Sequence, residues 1–186
     1  FGEFERIEEI ARGLKKTANC ALRVNPDISI SSHKYIQTGS KTSKFGLDRT
    51  SVLKISAACV DSNAVKLTTV ASQIGSQISD ENVILKSVDY LIEIANELIE
   101  EGHIIEYLDI GGGLGIQYKD ENKGDPKLLL EKVKALLKDQ DFKVILEPGR
   151  SIIGTAGILL TKVEYTKEAG SKNFAIIDAG MNDLLR

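Results

Sequence analysis

Two short motifs carry the residue types in this chain that are best suited to chemistry. Gly111-Gly112-Gly113 follows an apolar run at 105–110, and Glu147-Pro148-Gly149-Arg150 follows another at 144–146. Consecutive glycines let a backbone approach an anion closely and leave N–H groups available to bind it. Because an arginine and a glutamate join that turn, the first hypothesis is a phosphate site combined with chemistry that needs a carboxylate.

One amphipathic segment separates the two motifs, so the predicted order is strand, glycine turn, helix, strand and charged turn. In parallel α/β proteins, turns of this kind lie at the carboxyl end of the sheet, where ligands bind. We therefore expect both motifs to line one pocket. The opposing interpretations are a tight turn without a ligand for the glycines and a solvated side chain for Glu147.

Helix and strand signals alternate along the rest of the chain. The clearest helical stripe spaces its apolar residues by four and three, and consists of Ile84, Val88, Leu91, Ala95 and Leu98. Asp80 is the candidate N-cap of this helix, and Gly102 is the candidate stop. Repeated units of this kind predict a parallel sheet covered by helices. A barrel and an open doubly wound sheet both fit, although the glycine run lacks the GxGxxG fingerprint of a dinucleotide fold.

Two other segments depart from this alternation. The polar stretch 25–50 is too long for a tight connection, and long loops of this kind are usually functional. Near the other end, strands are predicted at 158–165 and 174–178 with a charged turn at 167–172. Since that turn has no room for a helix, we expect the chain to enter a β-rich region there.

Composition favours a cytoplasmic globular protein. The net charge of −3 comes from interspersed acidic and basic residues, which argues against a nucleic-acid surface. No apolar stretch approaches the ~20 residues of a membrane span. An upstream targeting segment stays open as an alternative, because the chain of 186 residues has no initiator Met and begins inside a helical pattern. A complete (β/α)₈ barrel needs ~250 residues, so we expect an internal piece of a longer protein.

The cysteines and histidines give no sign of a metal or nucleophilic site. Cys20 and Cys59 are each flanked by apolar residues, which predicts two buried free thiols. His33 and His103 are expected at the surface, and no spacing typical of metal ligands occurs.

Several motifs together resemble one enzyme family, the diaminopimelate decarboxylases. In chain order they are 23–27 (RVNPD), 38–39 (TG), 43–46 (SKFG), 74–77 (IGSQ), 108–115 (LDIGGGLG), 147–150 (EPGR) and 178–186 (DAGMNDLLR). The glycine and EPGR motifs alone would indicate only the wider group of barrel-type decarboxylases that act on basic amino acids. The terminal MNDLLR narrows the resemblance to the diaminopimelate branch.

The resemblance implies a pyridoxal-phosphate enzyme that makes lysine from meso-diaminopimelate. Its fold would be an α/β barrel of the (β/α)₈ type, similar to alanine racemase and ornithine decarboxylase, followed by a C-terminal β domain. Residues 1–165 would form a partial barrel that lacks the first strands, and 166–186 would begin the transition to the β domain. The resemblance also implies a homodimer with shared active sites, a covalent cofactor lysine upstream of Phe1, and an inactive fragment.

Each retained motif takes a role from the resemblance. Glu147 would hold the proton on the pyridine nitrogen of the cofactor. The glycine turn, with Pro148, Gly149 and Arg150, would bind its phosphate, and Ser76 would add a hydroxyl donor. Arg150 and Arg186 would hold the distal carboxylate of the substrate, since a guanidinium binds carboxylates bidentately. For Arg186, an unpaired surface arginine is the alternative.

One residue departs from the family pattern. Gln73 stands where the family has a histidine that stacks on the cofactor ring. An amide has less π surface and cannot become an imidazolium, so a catalytically silent cofactor-binding or regulatory homologue is a second hypothesis. A decarboxylase for ornithine, arginine or carboxynorspermidine is a third, against which the MNDLLR motif argues.

Overall fold

Two compact units make up the chain, residues 1–151 and residues 152–186. The computed structural model describes residues 1–28, 44–120 and 124–184. The elements of the first unit, in chain order, are α1 (Gly2–Gly13), β1 (Ala18–Arg23), α2 (Arg49–Val60), β2 (Val65–Ala71), α3 (Glu81–Glu100), β3 (Tyr107–Asp109), α4 (Pro126–Leu136) and β4 (Lys143–Ile145). Helix α5 (Arg150–Ile153) follows, and β5 (Val163–Ala169) and β6 (Lys172–Ile177) form the second unit.

Strands β1 to β4 form one parallel sheet in the order β1-β2-β3-β4. Each strand therefore pairs with the next strand along the chain, with a helix in every connection. A doubly wound sheet reverses its strand order at a switch point, whereas a barrel wall adds its strands in sequence. The prediction of a partial barrel is confirmed, and the doubly wound alternative is wrong.

The core of the first unit lies between the sheet and helices α2 and α3. Leu108 in β3 and Val70 in β2 are fully buried on the helix side. The stripe predicted for α3 is buried along its whole length, with no residue of it more than 3% exposed. Ile94 joins it with no exposure, so α3 is the central covering helix.

Aspartates begin three of the helices. The Asp80 carboxylate accepts from the Asn82 N–H at 3.0 Å, as predicted for the N-cap of α3. Asp125 caps α4 and Asp48 caps α2 in the same way. Each such cap contributes about 1 kcal/mol to helix stability. After α3, Gly102 adopts a φ of 98°, which allows the chain to turn out of the helix toward β3.

The second unit contains an antiparallel hairpin whose strand limits differ from the sequence prediction. Strand β5 runs from Val163 to Ala169, so the predicted turn at 167–172 is wrong. The actual turn has two residues, Gly170 and Ser171, and Gly170 adopts a φ of 63°. The charged residues of this segment predicted a turn. Both faces of β5 are exposed, however, so the strand accommodates charged side chains along its length.

Both cysteines are free, and they differ in burial. Cys59 is buried in α2, as predicted, whereas Cys20 in β1 is only half-buried. Burial raises the pKa of the Cys59 thiol to about 11. Within the described ranges, no helix has both the length and the apolar character needed to cross a membrane.

Candidate active site

The glycine turn lies where the segments after β2, β3 and β4 meet. A Cβ atom on Gly112 would lie 2.0 Å from the backbone oxygen of Glu147. A Cβ atom on Gly113, whose φ is 90°, would lie 2.2 Å from the backbone oxygen of Gly75. Such distances exclude any side chain at either position, so the sequence needs glycine there for close approach.

Backbone hydrogen bonds extend the sheet into this region. Ile110 N–H donates to the Ile145 carbonyl at 3.1 Å, and Glu147 N–H donates to the Gly111 carbonyl at 2.8 Å. The β3–β4 pairing therefore continues past both strand ends and aligns the glycine turn with the start of the EPGR motif. The structure thus places the two motifs beside each other at the carboxyl edge of the sheet.

Asp109, the last residue of β3, fixes the entry to the glycine turn. Its Oδ1 atom accepts from the Gly111 N–H at 3.0 Å. Gly111 itself has a φ of 67°, in the left-handed region that favours glycine. The sequence motif LDIGGGLG includes this aspartate, but its role as a cap was missed.

Gln73 connects two of the loops through its side chain. Its Oε1 atom accepts from the Gly112 N–H at 2.7 Å, and its Nε2 atom donates to the Gly75 carbonyl at 2.7 Å. The amide therefore spans the loop after β2 and the loop after β3.

Gln77 supports the far side of the glycine segment. Its amide pairs with both backbone groups of Ile116, accepting from the N–H at 3.3 Å and donating to the carbonyl at 2.5 Å. Gln77 adopts a φ of 57°, which is uncommon for a residue with a side chain. In the sequence, Gln77 is notable only as part of the IGSQ motif at 74–77.

Arg150 connects the EPGR motif to the loop after β2. Its half-buried guanidinium donates to Ser76 Oγ, and its Nη1 atom donates to the Tyr118 hydroxyl at 2.9 Å. Ser76 and Arg150 are thus brought together as the resemblance implied. Tyr118 is a new member of this cluster, because its place in a polar loop gave no signal in the sequence.

The other residues of the EPGR motif are exposed to solvent. The Glu147 carboxylate makes no hydrogen bond to any residue that the structure describes. A Cβ atom on Gly149 would meet nothing within 4 Å, so no close approach requires glycine there. Pro148 contacts an apolar pocket of about 80 Å³ behind the glycine turn, which is lined also by Ile84, Leu114, Leu129, Leu130 and Leu146.

Arg186 and His33 fall outside the described residues, so the predictions for them stay predictions. His103 follows α3 and is half-buried rather than at the surface, with its Nε2 atom 2.7 Å from Ser56 Oγ. Ser56, which is fully buried in α2, also donates to Glu101, so these three side chains join α2 to the end of α3.

A family model described as "Pyridoxal-dependent decarboxylase, pyridoxal binding domain" matches residues 1–154. The chain belongs to that family. Among its curated relatives, diaminopimelate decarboxylase of Aquifex aeolicus is 45% identical over 99% of this chain and 44% of its own length. The enzyme of Neisseria meningitidis serogroup A is 40% identical over 99% of this chain and 45% of its own length. The chain therefore spans a little under half the length of these relatives.

Solved decarboxylases of the family share this fold. Diaminopimelate decarboxylase of Helicobacter pylori in complex with L-lysine matches with a TM-score of 0.91 and 36% identity, over 99% of this chain and 46% of that one. The enzyme of M. jannaschii, also in complex with L-lysine, matches with a TM-score of 0.84 and 39% identity, over 100% of this chain and 44% of that one.

Pyridoxal phosphate is the cofactor of pyridoxal-dependent decarboxylases, and the residues at the sheet edge fit it. The glycine turn is a cradle that any Cβ atom would fill. The Gly113 N–H has no hydrogen-bond partner among the described residues, so it remains available to an anion. The half-buried guanidinium of Arg150 lies beside Ser76, which supplies positive charge where a phosphate would need it.

Proposed function

We propose that the complete protein containing this chain decarboxylates meso-2,6-diaminopimelate to L-lysine with pyridoxal phosphate. The observation that carries this proposal is the 45% identity to diaminopimelate decarboxylase over 99% of the chain. The relatives from H. pylori and M. jannaschii, which were solved with L-lysine, support the same product. The 186-residue fragment alone is inactive in this proposal, because the cofactor lysine would lie upstream of Phe1.

The phosphate of the cofactor would lie against the glycine turn. The Gly113 N–H would supply a backbone donor, Gly111 and Gly112 would let the phosphate approach the backbone closely, and Ser76 would supply a hydroxyl donor. The contact between Ser76 and Arg150 supports a shared role on the phosphate side of the site. Pro148 and Gly149 would form the adjoining wall.

Glu147 would act at the opposite end of the cofactor. When bound, pyridoxal phosphate accepts the electron pair that remains at Cα after loss of carbon dioxide. That acceptance is favoured when the pyridine nitrogen is protonated, and a carboxylate beside the nitrogen stabilises the protonated form. The Glu147 carboxylate is exposed and has no partner among the described residues, so it is available for this role.

The distal carboxylate of the substrate needs a cation of its own. The resemblance assigns this role to Arg150 and Arg186. Because the guanidinium of Arg150 already bonds to Ser76 and Tyr118, we assign the larger part of substrate anchoring to Arg186. This division is consistent with the MNDLLR motif being specific to the diaminopimelate branch.

Further properties of the complete protein belong to the same proposal. The barrel would extend through residue 165, and the transition to the C-terminal β domain would occupy 166–186. The protein would be a cytoplasmic homodimer with shared active sites that acts on a free amino acid.

A catalytically silent, cofactor-binding homologue is the second candidate. Gln73 favours it, because its amide is held between Gly112 and Gly75 where the family has a stacking histidine. The deciding experiment measures carbon dioxide release by the complete protein with diaminopimelate, lysine, ornithine and arginine as separate substrates. Release from diaminopimelate alone supports the leading proposal. Tight binding of pyridoxal phosphate without release from any substrate supports the silent homologue.

A further inference from the structure

The carboxamide of Gln73 holds two loops at once. It accepts from the Gly112 N–H at 2.7 Å and donates to the Gly75 carbonyl at 2.7 Å. Both bonds have the length of good hydrogen bonds. The bond to Gly112 joins residues 39 positions apart, whereas the bond to Gly75 is local to the loop after β2 that contains Gln73 itself. The two backbone groups belong to the loops after β3 and β2.

This arrangement requires the particular chemistry of glutamine. One oxygen must accept while one nitrogen donates, at the end of a side chain long enough to reach Gly112 in the loop after β3. A glutamate keeps the acceptor and loses the donor. A leucine of similar size loses both, and an asparagine is shorter by one methylene group.

The glycine turn is shaped around this amide. A Cβ atom on Gly111 would lie 2.2 Å from the Gln73 Oε1 atom, so the backbone passes directly over it. On the other side, the Ile78 N–H donates to the Gly113 carbonyl at 2.8 Å. The turn is thus held at Gly112 by Gln73 and at Gly113 by Ile78.

Among the described residues, one backbone N–H of the turn is left without a hydrogen-bond partner. The Gly113 N–H has no partner among the described residues, whereas the N–H groups of Gly111 and Gly112 bond to Asp109 and Gln73. The side chains therefore satisfy two donors and leave the third one for a ligand.

We propose that Gln73 is a positioning residue of the anion site, which holds the glycine turn so that the Gly113 N–H is presented to the phosphate of the cofactor. This proposal rests on the proposed function, because it requires a phosphate-bearing ligand at the turn. It differs from a ring contact, since Gln73 acts here through the Gly112 N–H.

The first test compares two ligands that differ only in the phosphate. Dissociation constants of pyridoxal 5′-phosphate and of pyridoxal are measured for the complete protein and for its Gln73→Leu variant. We expect the variant to bind pyridoxal phosphate about tenfold more weakly, the effect of about one hydrogen bond. Its affinity for pyridoxal should change by less than about twofold. Equal loss for both ligands would indicate a contact with the ring and overturn the proposal, as would no loss for either.

The second test observes the clamp without any ligand. Exchange of the Gly112 amide hydrogen with deuterium is expected to be about tenfold faster in Gln73→Leu, because its acceptor is gone. Gln73→Glu should keep most of the protection, since a carboxylate still accepts from Gly112. Unchanged exchange in the leucine variant contradicts the clamp. Faster exchange without any change in the ratio of the two affinities shows a purely structural contact and also overturns the positioning role.

A matched control and a third probe separate the possible failures. Gln140→Leu changes a half-buried glutamine after α4. It should alter neither the ratio of the two dissociation constants nor the hydrogen exchange of the Gly112 amide. If the unmodified protein binds neither pyridoxal compound, the proposed function fails, and inorganic phosphate becomes the probe. A tenfold loss of phosphate affinity in Gln73→Leu then supports the positioning role. Unchanged affinity, or the absence of phosphate binding in the unmodified protein, overturns it.

Discussion

The guanidinium of Arg150 donates a hydrogen bond to Ser76, a residue 74 positions earlier in the chain. This contact joins the loop after β2 to the start of α5 across the carboxyl edge of the sheet. Because the same guanidinium also reaches Tyr118, one cation holds two polar side chains from different loops.

Replacement of Arg150 tests this cluster. Arg150→Ala should lower kcat/KM of the complete protein for diaminopimelate roughly ten- to a hundredfold, because a charge-assisted hydrogen bond contributes about 1.5–3 kcal/mol. Arg150→Lys should recover only part of the loss, since an ammonium lacks the planar fork. The measurement is steady-state decarboxylation. Arg12→Ala is the control, because Arg12 forms an exposed pair with Glu8 on α1. Equal activities of the Arg150 and Arg12 variants would contradict the assigned role.

The close approach at Gly112 gives a second prediction. Gly112→Ala should lower the free energy of unfolding by about 1–3 kcal/mol, because its Cβ atom would lie 2.0 Å from the Glu147 backbone oxygen. Urea denaturation measures the change. Gly13→Ala is the matched control, since an added Cβ atom meets nothing within 4 Å at the end of α1. If both variants are equally stable, the packing around the glycine turn is looser than these distances indicate.

Glu147 should separate stability from activity. Since its carboxylate is exposed and unpaired among the described residues, Glu147→Gln should change the free energy of unfolding by less than about 0.5 kcal/mol. The same change should lower kcat about a hundredfold or more, because the amide cannot stabilise a protonated pyridine nitrogen. Urea denaturation and decarboxylation kinetics are compared on the same preparations. Full activity in the glutamine variant would remove Glu147 from the mechanism.

Arg186 provides the test of substrate choice. Arg186→Ala should lower kcat/KM for diaminopimelate by roughly ten- to over a hundredfold, as expected for a lost charge-assisted contact. Affinity for ligands without a distal carboxylate, such as lysine, should fall less. The experiment is repeated in the Gln73→His background, to separate the effect of losing Arg186 from the effect of having glutamine at position 73. Unchanged activity on diaminopimelate in both backgrounds would show that Arg186 is not a substrate anchor.

The buried thiol of Cys59 predicts a loss of stability at alkaline pH. Burial raises the pKa of this thiol to about 11 from an ordinary value of 9.0. The unfolded chain releases the proton first, so the contribution of Cys59 to stability is full below about pH 9 and disappears as pH rises to about 11. Urea midpoints across this range should fall less steeply in Cys59→Ala than in the unmodified chain. If the urea midpoint falls with pH at the same rate in both proteins, the Cys59 thiol does not titrate in this way.

The sequence alone predicted the elements whose burial follows a clear period. The stripe of α3 and its Asp80 cap are dictated by local pattern. The hairpin limits were not predictable in that way, since β5 is exposed on both faces and carries no burial period. Hydrophobic periodicity therefore located the buried helix α3 but could not set the limits of the exposed strand β5.

The candidate site shows the same division at the level of side chains. The glycine triplet at 111–113 and the EPGR motif at 147–150 could be found because their residues form an unusual combination and each motif follows a predicted strand. The bonds from Gln73 to Gly112 and from Arg150 to Tyr118 depend on side-chain rotamers in loops that meet only after the sheet forms. No local sequence pattern encodes such contacts, so only the folded structure reveals them.

The glycine turn after β3 lies against backbone atoms of the segments after β2 and β4. Ligand binding at the turn therefore depends on the pairing of all three strands. An anion bound there would favour the state in which β2, β3 and β4 are all paired. A ligand that binds only the folded state stabilises it by RT ln(1 + [L]/Kd), about 2.7 kcal/mol at a hundredfold excess over Kd. The bound cofactor would thus stabilise the paired strands of the barrel wall. Because proteases act on the unfolded chain, a larger supply of cofactor would leave less of the newly made chain open to proteolysis.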